Sequence, residues 1–451
     1  MECVSILKIK HIVFSLALAS AFFVVASGAP ARAAVAQSDQ ETVVSLMAQL
    51  AALQEQVAAL QKKQAGLARP TPVPQTPVLP PIEIAGWVPY WRTATGTADA
   101  IIHMDAFKEI SPFGYAVKND GTLLDQMHLD DAPWQSLIAS ARSKKVKIIP
   151  TVMWGNTNAI HNVLKSPKLR KAHIAGIVKE VKDREWDGID IDYEAKKADT
   201  KQYFSIFLRD LYKAMGKKFV SCTVEARTPL ADRFVKIPKD IRFANDFAAI
   251  NQYCDRVRIM AYDQGTIDLK LNKAAEGWYM PIGDPAWVEK VVRLAMKTIA
   301  KKKIFIGVAT YGYESEVSPY GKGFAYDILW SFNPRYATEL AAQLGIAPTR
   351  NAAGELSFAY SPATTTAAST PDEIASSSAV APEAVNGAAT SSPMATTSVA
   401  AAAATTTRLV WWSDSSAIHD KVALARKLGV RGIAIFKIDG GENPAMWGAL
   451  K

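Results

Sequence analysis

Three cysteines and six histidines in 451 residues rule out several kinds of chemistry. Cys3 stands at the extreme N-terminus, which leaves Cys222 and Cys254 in the body of the chain. Two cysteines make no disulfide framework, and no CxxC or Cys/His spacing marks a metal site. The pattern predicts two separate buried thiols, with a dithiol pair as the alternative. The histidines fall in no recognisable motif. No glycine-rich turn opens the alternating part of the chain, so the phosphate-cradling signature of doubly wound sheets is missing. There is no basic stripe interleaved with aromatics either. The formal charge is +9, from 52 Lys and Arg against 43 Asp and Glu. Its excess sits in helix-like stretches such as Lys168-Leu169-Arg170-Lys171 and Lys301-Lys302-Lys303. Solvated helix faces explain these, and nucleic acid is excluded as a partner. No metal and no cofactor is expected. The mild positive surface suits association with an anionic cell wall or membrane surface.

Long apolar runs are also scarce. One, Ile12 to Ser27, follows Lys8 and Lys10 and precedes the small-x-small triplet Ala31-Arg32-Ala33. Residues 1–34 therefore read as a signal peptide, with an uncleaved anchor as the alternative. Either reading predicts a secreted or cell-envelope protein. Next, Val43, Leu46, Leu50, Leu53, Val57 and Leu60 recur with 3-4-3-4-3 spacing. This makes residues 35–66 a helical stalk with an a/d seam about three heptads long. A homo-oligomeric coiled coil through residues 43–60 and a lone amphipathic stalk both fit. Six prolines between Pro70 and Pro81 then mark residues 67–82 as an extended, semi-rigid linker.

Beyond the linker, β-rich runs alternate with amphipathic helical ones. Strand candidates are Ile82–Pro89, Glu109–Val117, Val146–Met153, Gly188–Tyr193, Phe219–Glu225, Val257–Tyr262, Ile304–Thr310 and Gly432–Lys437. Between them, Phe204, Phe207, Leu208 and Leu211 form one helical stripe, ended by Gly216. Eight such repeats predict an α/β fold, a (β/α)8 TIM barrel over residues 83–451. The gap between strands seven and eight is too long for one helix. It predicts an insertion at about residues 315–412, with a helix from Arg335 to Leu344 and paired strands at Glu355–Tyr360 and Arg408–Trp412. The Ala/Thr/Ser stretch 362–407 is almost without large apolar residues and is predicted to be a disordered tip.

The segment that carries chemistry is Asp187-Gly188-Ile189-Asp190-Ile191-Asp192-Tyr193-Glu194. Side chains alternate along a strand. Asp190, Asp192 and Glu194 therefore share one face, with Ile189, Ile191 and Tyr193 on the other. In a barrel the carboxyls line the interior and rise to the C-terminal rim. Stacked and poorly hydrated, at least one of them should hold a proton near neutrality. A proton on a raised-pKa carboxyl is what a glycosidase delivers to its leaving oxygen. A calcium loop would need glycine at its sixth position and a carboxylate at its twelfth, and the segment has neither.

Asp187 to Glu194 resembles the DxxDxDxE signature on the fourth strand of family 18 glycoside hydrolases, the chitinase-like barrels. Arg258-Ile259-Met260-Ala261-Tyr262-Asp263, Gly307-Val308-Ala309-Thr310-Tyr311-Gly312 and Gly86-Trp87-Val88-Pro89-Tyr90-Trp91 are similar to its sixth, seventh and first strands. Val410-Trp411-Trp412 and Arg431-Gly432-Ile433 look most like the spore-cortex and peptidoglycan-type N-acetylglucosaminidases. The resemblance implies a retaining hydrolase of β-1,4-linked N-acetylglucosamine-containing polysaccharides, with peptidoglycan ahead of chitin. A silent, lectin-like barrel is the alternative. It implies Glu194 as proton donor and Asp192 as the group that holds the substrate's acetamido arm. Asp190 would tune Asp192, and Tyr262 would bond the acetamido carbonyl. Asp263 and Met260 belong to the same subsite, with Tyr90, Trp91, Trp154 and Trp411 as candidates for stacking on sugars. Where the family usually has Trp on strand eight, this chain has Phe436, a smaller platform. Glu225 and Arg227 bring two charges near the rim, able to pair or to read a charged substituent such as a lactyl group.

Removing residues 362–407 and closing the hairpin with a short turn is expected to leave melting temperature and turnover nearly unchanged. A large drop in either would show that the segment packs over the cleft.

Overall fold

The computed structural model describes residues 32–67, 81–321, 323–362 and 406–450. Most of the expected signal peptide, nearly all of the proline-rich linker and nearly all of the 362–407 stretch lie outside the described residues. The chain divides into two units, residues 1–78 and 79–451.

Among the described residues of the first unit, a helix runs over Arg32–Leu67. Leu46, Leu50, Leu53, Val57 and Leu60 are between 48% and 64% exposed, so the expected seam is uncovered. No helix among the described residues is long and apolar enough to cross a membrane.

The second unit is the expected barrel. Its parallel strands are Glu83–Pro89, Glu109–Val117, Thr151–Trp154 with the short piece Lys147–Ile148, Gly188–Tyr193, Phe219–Glu225, Arg256–Met260, Ile304–Ala309 and Gly432–Phe436. Strand one pairs with both strand two and strand eight, which closes the ring. Strand three is the one that departs from its expected continuous run. Pro150 has no N–H to give the ladder, and the strand breaks there. The Pro150 carbonyl still accepts the Asp190 N–H at 2.8 Å, so the break costs strand four nothing.

Strand alternation builds two cores. Ile189, Ile191 and Tyr193 are buried under the helix Lys201–Met215, whose Phe204, Phe207, Leu208 and Leu211 form the expected stripe. Tyr193 stacks on Phe207 with centroids 5.5 Å apart. The other parity fills the barrel interior with Ala85, Trp87, Phe113, Phe305 and Ala434. Below them lies a buried ionic layer, in which Glu109 pairs with Arg256 and Arg258.

The insertion is larger than expected: a five-stranded antiparallel sheet rather than one strand pair. Leu356–Tyr360 pairs with Thr407–Trp412 as predicted. The added parts are the short strand Thr349–Arg350 and the hairpin Gly312–Tyr320 and Gly323–Phe332, the latter largely exposed and therefore without a clear apolar alternation. The helix Pro334–Leu344 packs on this sheet through Ala337, Leu340 and Ala341.

The two cysteines correct a second expectation. Cys222 and Cys254 are fully buried and joined in a disulfide, with Cα atoms 5.9 Å apart. Cys222 faces the helical layer from strand five, and Cys254 follows the helix Phe247–Tyr253 packed behind it. A sequence separation of 32 gave no hint of that meeting. Reducing this bond, or replacing both cysteines with alanine, is expected to cost about 3–4 kcal/mol through the freed loop. Denaturant midpoints with and without reductant measure it, and the native protein should show no reactive thiol at these two positions.

Candidate active site

At the C-terminal rim the second unit opens into a cleft of about 630 Å³. Strand four is its axis. Asp190, Asp192 and Glu194 rise along one face, and each level has its own surroundings.

Asp190 lies at the bottom, fully buried and outside the cleft lining. Its carboxylate accepts from Trp87 Nε1, Thr151 Oγ1 and Thr223 Oγ1, each at 3.0 Å, and from the Arg258 guanidinium at 3.3 Å. Four strands thus send one donor each to a single carboxylate. Asp192, one level up, is 3% exposed, and its Oδ1 has no hydrogen-bond partner. Burial, then the charges of Glu194, Asp190 and Glu225, drive its pKa well above the carboxylate range, and Lys196 opposes them. Glu194 ends the ladder, partly open to the cleft. Burial and the Glu225 charge push it up to about 7, while Lys196 pulls it down. Directly after it, Ala195 takes a positive φ of 52°, so the chain turns away as soon as the carboxyl has been presented.

Strands six to eight supply the facing wall. The Tyr262 ring stacks on Phe436, with centroids 5.8 Å apart and planes 14° from parallel. Phe436 also meets Trp87, Phe113 and Tyr311 edge-on, and its peptide bond to Lys437 is cis. Asp263 accepts hydrogen bonds from the hydroxyls of Tyr311 and Tyr313 at 2.7 and 2.8 Å. Burial raises its pKa to about 6 against those two bonds. Like Ala195, it has a positive φ, 56°. Met260 lines the cleft beside them. Tyr90, Trp91 and Trp154 line the opposite end, and the indole N–H groups of both tryptophans lack partners.

The structure therefore gathers Asp192, Glu194, Tyr262, Asp263, Met260, Tyr90, Trp91, Trp154 and Phe436 around one cavity, with Asp190 beneath. Trp411 must be corrected. It is 2% exposed inside the insertion, and its Nε1 donates to Glu355 at 2.8 Å, so it has no face left for a sugar. Arg227 is also away from the cleft lining, between the rings of Phe243 and Phe247 and donating to the Asn245 carbonyl. Trp87, Phe113, Thr223, Tyr311 and Tyr313 were not singled out for the site. Strand parity places the first three on the inner face, and Tyr311 stood inside a quoted motif. Tyr313 begins an insertion strand and had no such signal.

Residues 87–441 match the family described as Glycosyl hydrolases family 18. The chain belongs to that family. Over 199 residues it is 25% identical to the Uncharacterized glycosylase YvbX of Bacillus subtilis (strain 168), covering 42% of this chain and 54% of that protein. The chain spans about half the length of the curated relatives it matches. Among solved structures it is similar to the spore cortex-lytic enzyme SleL of Bacillus megaterium QM B1551. The TM-score is 0.59 at 21% identity, over 83% of this chain and 74% of that one. It is also similar to the chitinase of Chromobacterium violaceum ATCC 12472, with TM-score 0.59 at 19% identity, over 82% and 98%. These likenesses carry the barrel fold.

The acid at the rim has a defined pH signature. A proton on Glu194 is present below about 7 and lost above it, so kcat/KM on a glycan is expected to fall along a basic limb near that value. Lys196 holds this carboxyl down and lies 3.7 Å from Glu225. Lys196→Met should move the limb to higher pH, while Lys196→Arg should leave it nearly in place. A pH–rate profile of the three proteins decides it, and an unmoved limb in Lys196→Met would assign the limb to another group.

Proposed function

We propose that this chain is a retaining glycoside hydrolase of β-1,4-linked N-acetylglucosamine-containing glycans, peptidoglycan or chitin, working by substrate assistance. The observation that carries the reading is the ladder itself. A carboxyl with its pKa raised to about 7 stands at the rim, one level above a buried carboxyl with an unpartnered oxygen. A binding surface gains nothing from keeping two such groups desolvated side by side.

In the proposed cycle Glu194 gives its proton to the glycosidic oxygen, and the bond from that oxygen to the anomeric carbon breaks. The acetamido carbonyl oxygen of the sugar closes on the anomeric carbon in place of a protein nucleophile, forming a cyclic oxazolinium. Asp192 accepts the acetamido N–H through the free Oδ1 and polarises the group. Tyr262 donates to the acetamido oxygen and orients it, and Asp263 holds a sugar hydroxyl. Water then adds to the anomeric carbon from the opposite face, giving its proton to Glu194 and restoring both the acid and the acetamide. Asp190 positions Asp192 from below.

Action outside the cytoplasm is part of the proposal. It is supported by the buried disulfide, which persists in oxidising compartments, and by the signal-like N-terminus.

Glu194→Gln keeps the shape but cannot donate a proton, and should lower turnover about 10²–10⁴-fold while oligosaccharide binding persists. De-N-acetylated polymer should not be cleaved, because the attacking oxygen is gone. Undiminished turnover in the variant removes Glu194 from the role of acid. Cleavage of the deacetylated polymer at the full rate points to a protein nucleophile. Binding without any turnover in the wild type is the lectin-like result.

A further inference from the structure

The proposed chemistry makes no use of the helix Arg32–Leu67. Its 36 residues span about 54 Å at a rise of about 1.5 Å each. Placed on the heptad abcdefg, Val43, Leu50 and Val57 take the a positions and Leu46, Leu53 and Leu60 take d. Leu50 and Val57 are 50% and 48% exposed, and the three d leucines between 58% and 64%. A continuous aliphatic stripe of this kind stays in water at a cost that only a covering surface removes.

The composition of the helix says what that surface is. Apart from Val44, positions b, c and f from Ser45 to Lys62 hold only Ser, Ala, Glu or Lys. The stripe is therefore the narrow a/d seam of a coiled coil, not the broad face with which a helix lies on a globular core. The flanking e and g positions from Met47 to Gln61 are Met47 and four glutamines. With no charge there, two identical copies meet without like-charge repulsion. Between Val43 and Gln61 there is no Lys or Arg, and Glu55 is the one charge. A helix that lies on an anionic membrane carries basic residues along its polar face, and this one has none in that stretch. Valine at two of three a positions with leucine at every d favours two strands.

We infer that residues 43–60 pair with the same residues of a second copy of this chain, as a two-stranded parallel coiled coil. In parallel register each layer sets like against like, so that Leu46, Leu50, Leu53, Val57 and Leu60 each meet their own counterpart. Both chains then leave the helix pair at the same end, and each runs through six prolines to its first barrel strand at Glu83. One assembly carries two clefts. On a long glycan the second cleft engages at the effective concentration set by the linkers, whereas a short substrate meets two independent sites. A seam of about three heptads makes the pairing reversible and dependent on concentration.

Sedimentation equilibrium on the full chain tests the pairing, with mild detergent present so that the apolar run at residues 12–27 cannot drive association. The mass should approach that of two chains as concentration rises through the micromolar range. Leu53→Glu puts a charge in the middle of the seam and should give one chain's mass throughout. Ala52→Glu puts the same charge at position c and should still pair. Glutamate is a good helix former, so both variants keep the helix. Leu60→Cys in a Cys3→Ser background should form an interchain disulfide on oxidation, because antiparallel strands would carry Leu60 to the opposite end of the partner strand. Leu53→Glu should also raise KM on a soluble N-acetylglucosamine polymer at least about tenfold while turnover of a chromogenic chitobioside stays within about twofold. A wild-type protein that remains a single chain overturns the inference, and so does a dimer that survives Leu53→Glu or a mass of three or four chains. A dimer without the cross-link overturns the parallel arrangement, and an unchanged KM on the polymer overturns the joint action of the two clefts. That last effect rests on the hydrolase reading: if no glycan is cleaved, the hydrolase reading falls and the masses still decide the pairing.

Discussion

Everything at the rim depends on the carboxylate that the cleft never touches. Asp190 gathers donors from strand one through Trp87, strand three through Thr151, strand five through Thr223 and strand six through Arg258. An isolated carboxylate at zero exposure would be very costly. Four convergent donors, one of them charged, make it a fixed point of the barrel interior instead. The arrangement is reciprocal, because Arg258 and Arg256 are held by Glu109 as well. Removing one member would strand the remaining charges, a change typically worth about 3–5 kcal/mol. Strand four is therefore pinned both in register and in rotation. With the alternation of a strand, that pin decides where Asp192 and Glu194 stand.

The pin also explains why the upper carboxyls tolerate each other. Donors are concentrated at the bottom of the ladder, and Asp192 above it keeps an oxygen with none. The backbone then bends out of regular geometry beside both rim carboxyls, at Ala195 and at Asp263, two non-glycine residues with positive φ. Local strain of this kind persists where the surroundings over-determine the chain, and it is concentrated at functional sites.

How much of this was legible follows from which signals are local. Period-two alternation in Gly188–Tyr193 and the stripe in Lys201–Met215 are properties of short windows, so that helix and every barrel strand but the third could be read to within a residue or two. The same alternation placed the three carboxyls on one face. It did not place Trp411, because a Trp near a strand end is equally suited to a sugar and to a core. The choice was made by Glu355, 56 residues away in sequence, which supplied the indole's partner. The disulfide was hidden for the same reason, since two cysteines 32 residues apart meet only once a helix has folded back behind its strand. Arg227 shows the limit most clearly. Its position after strand five suggested a rim charge, whereas the turn that follows carries the guanidinium to Phe243 and Phe247.

Phe436 is where the chain departs from the pattern of its family, and the structure changes what that departure means. Read alone, Phe in place of Trp is a smaller floor for a sugar. In the fold it is one tile of several. Trp87 and Phe113 meet it edge-on at 5.9 and 5.7 Å, Tyr311 at 6.2 Å, and Tyr262 lies parallel to it at 5.8 Å. Aromatic pairs at such spacings hold one another in favourable edge-to-face and offset geometry. The platform is consequently a property of five rings from five different strands and loops. A larger ring at 436 would either extend into the cleft or press on Tyr262 and on Trp87, whose indole N–H holds Asp190. Floor and ladder are thus one mechanical unit: Phe436 touches Trp87, whose indole N–H donates to the carboxylate that fixes strand four.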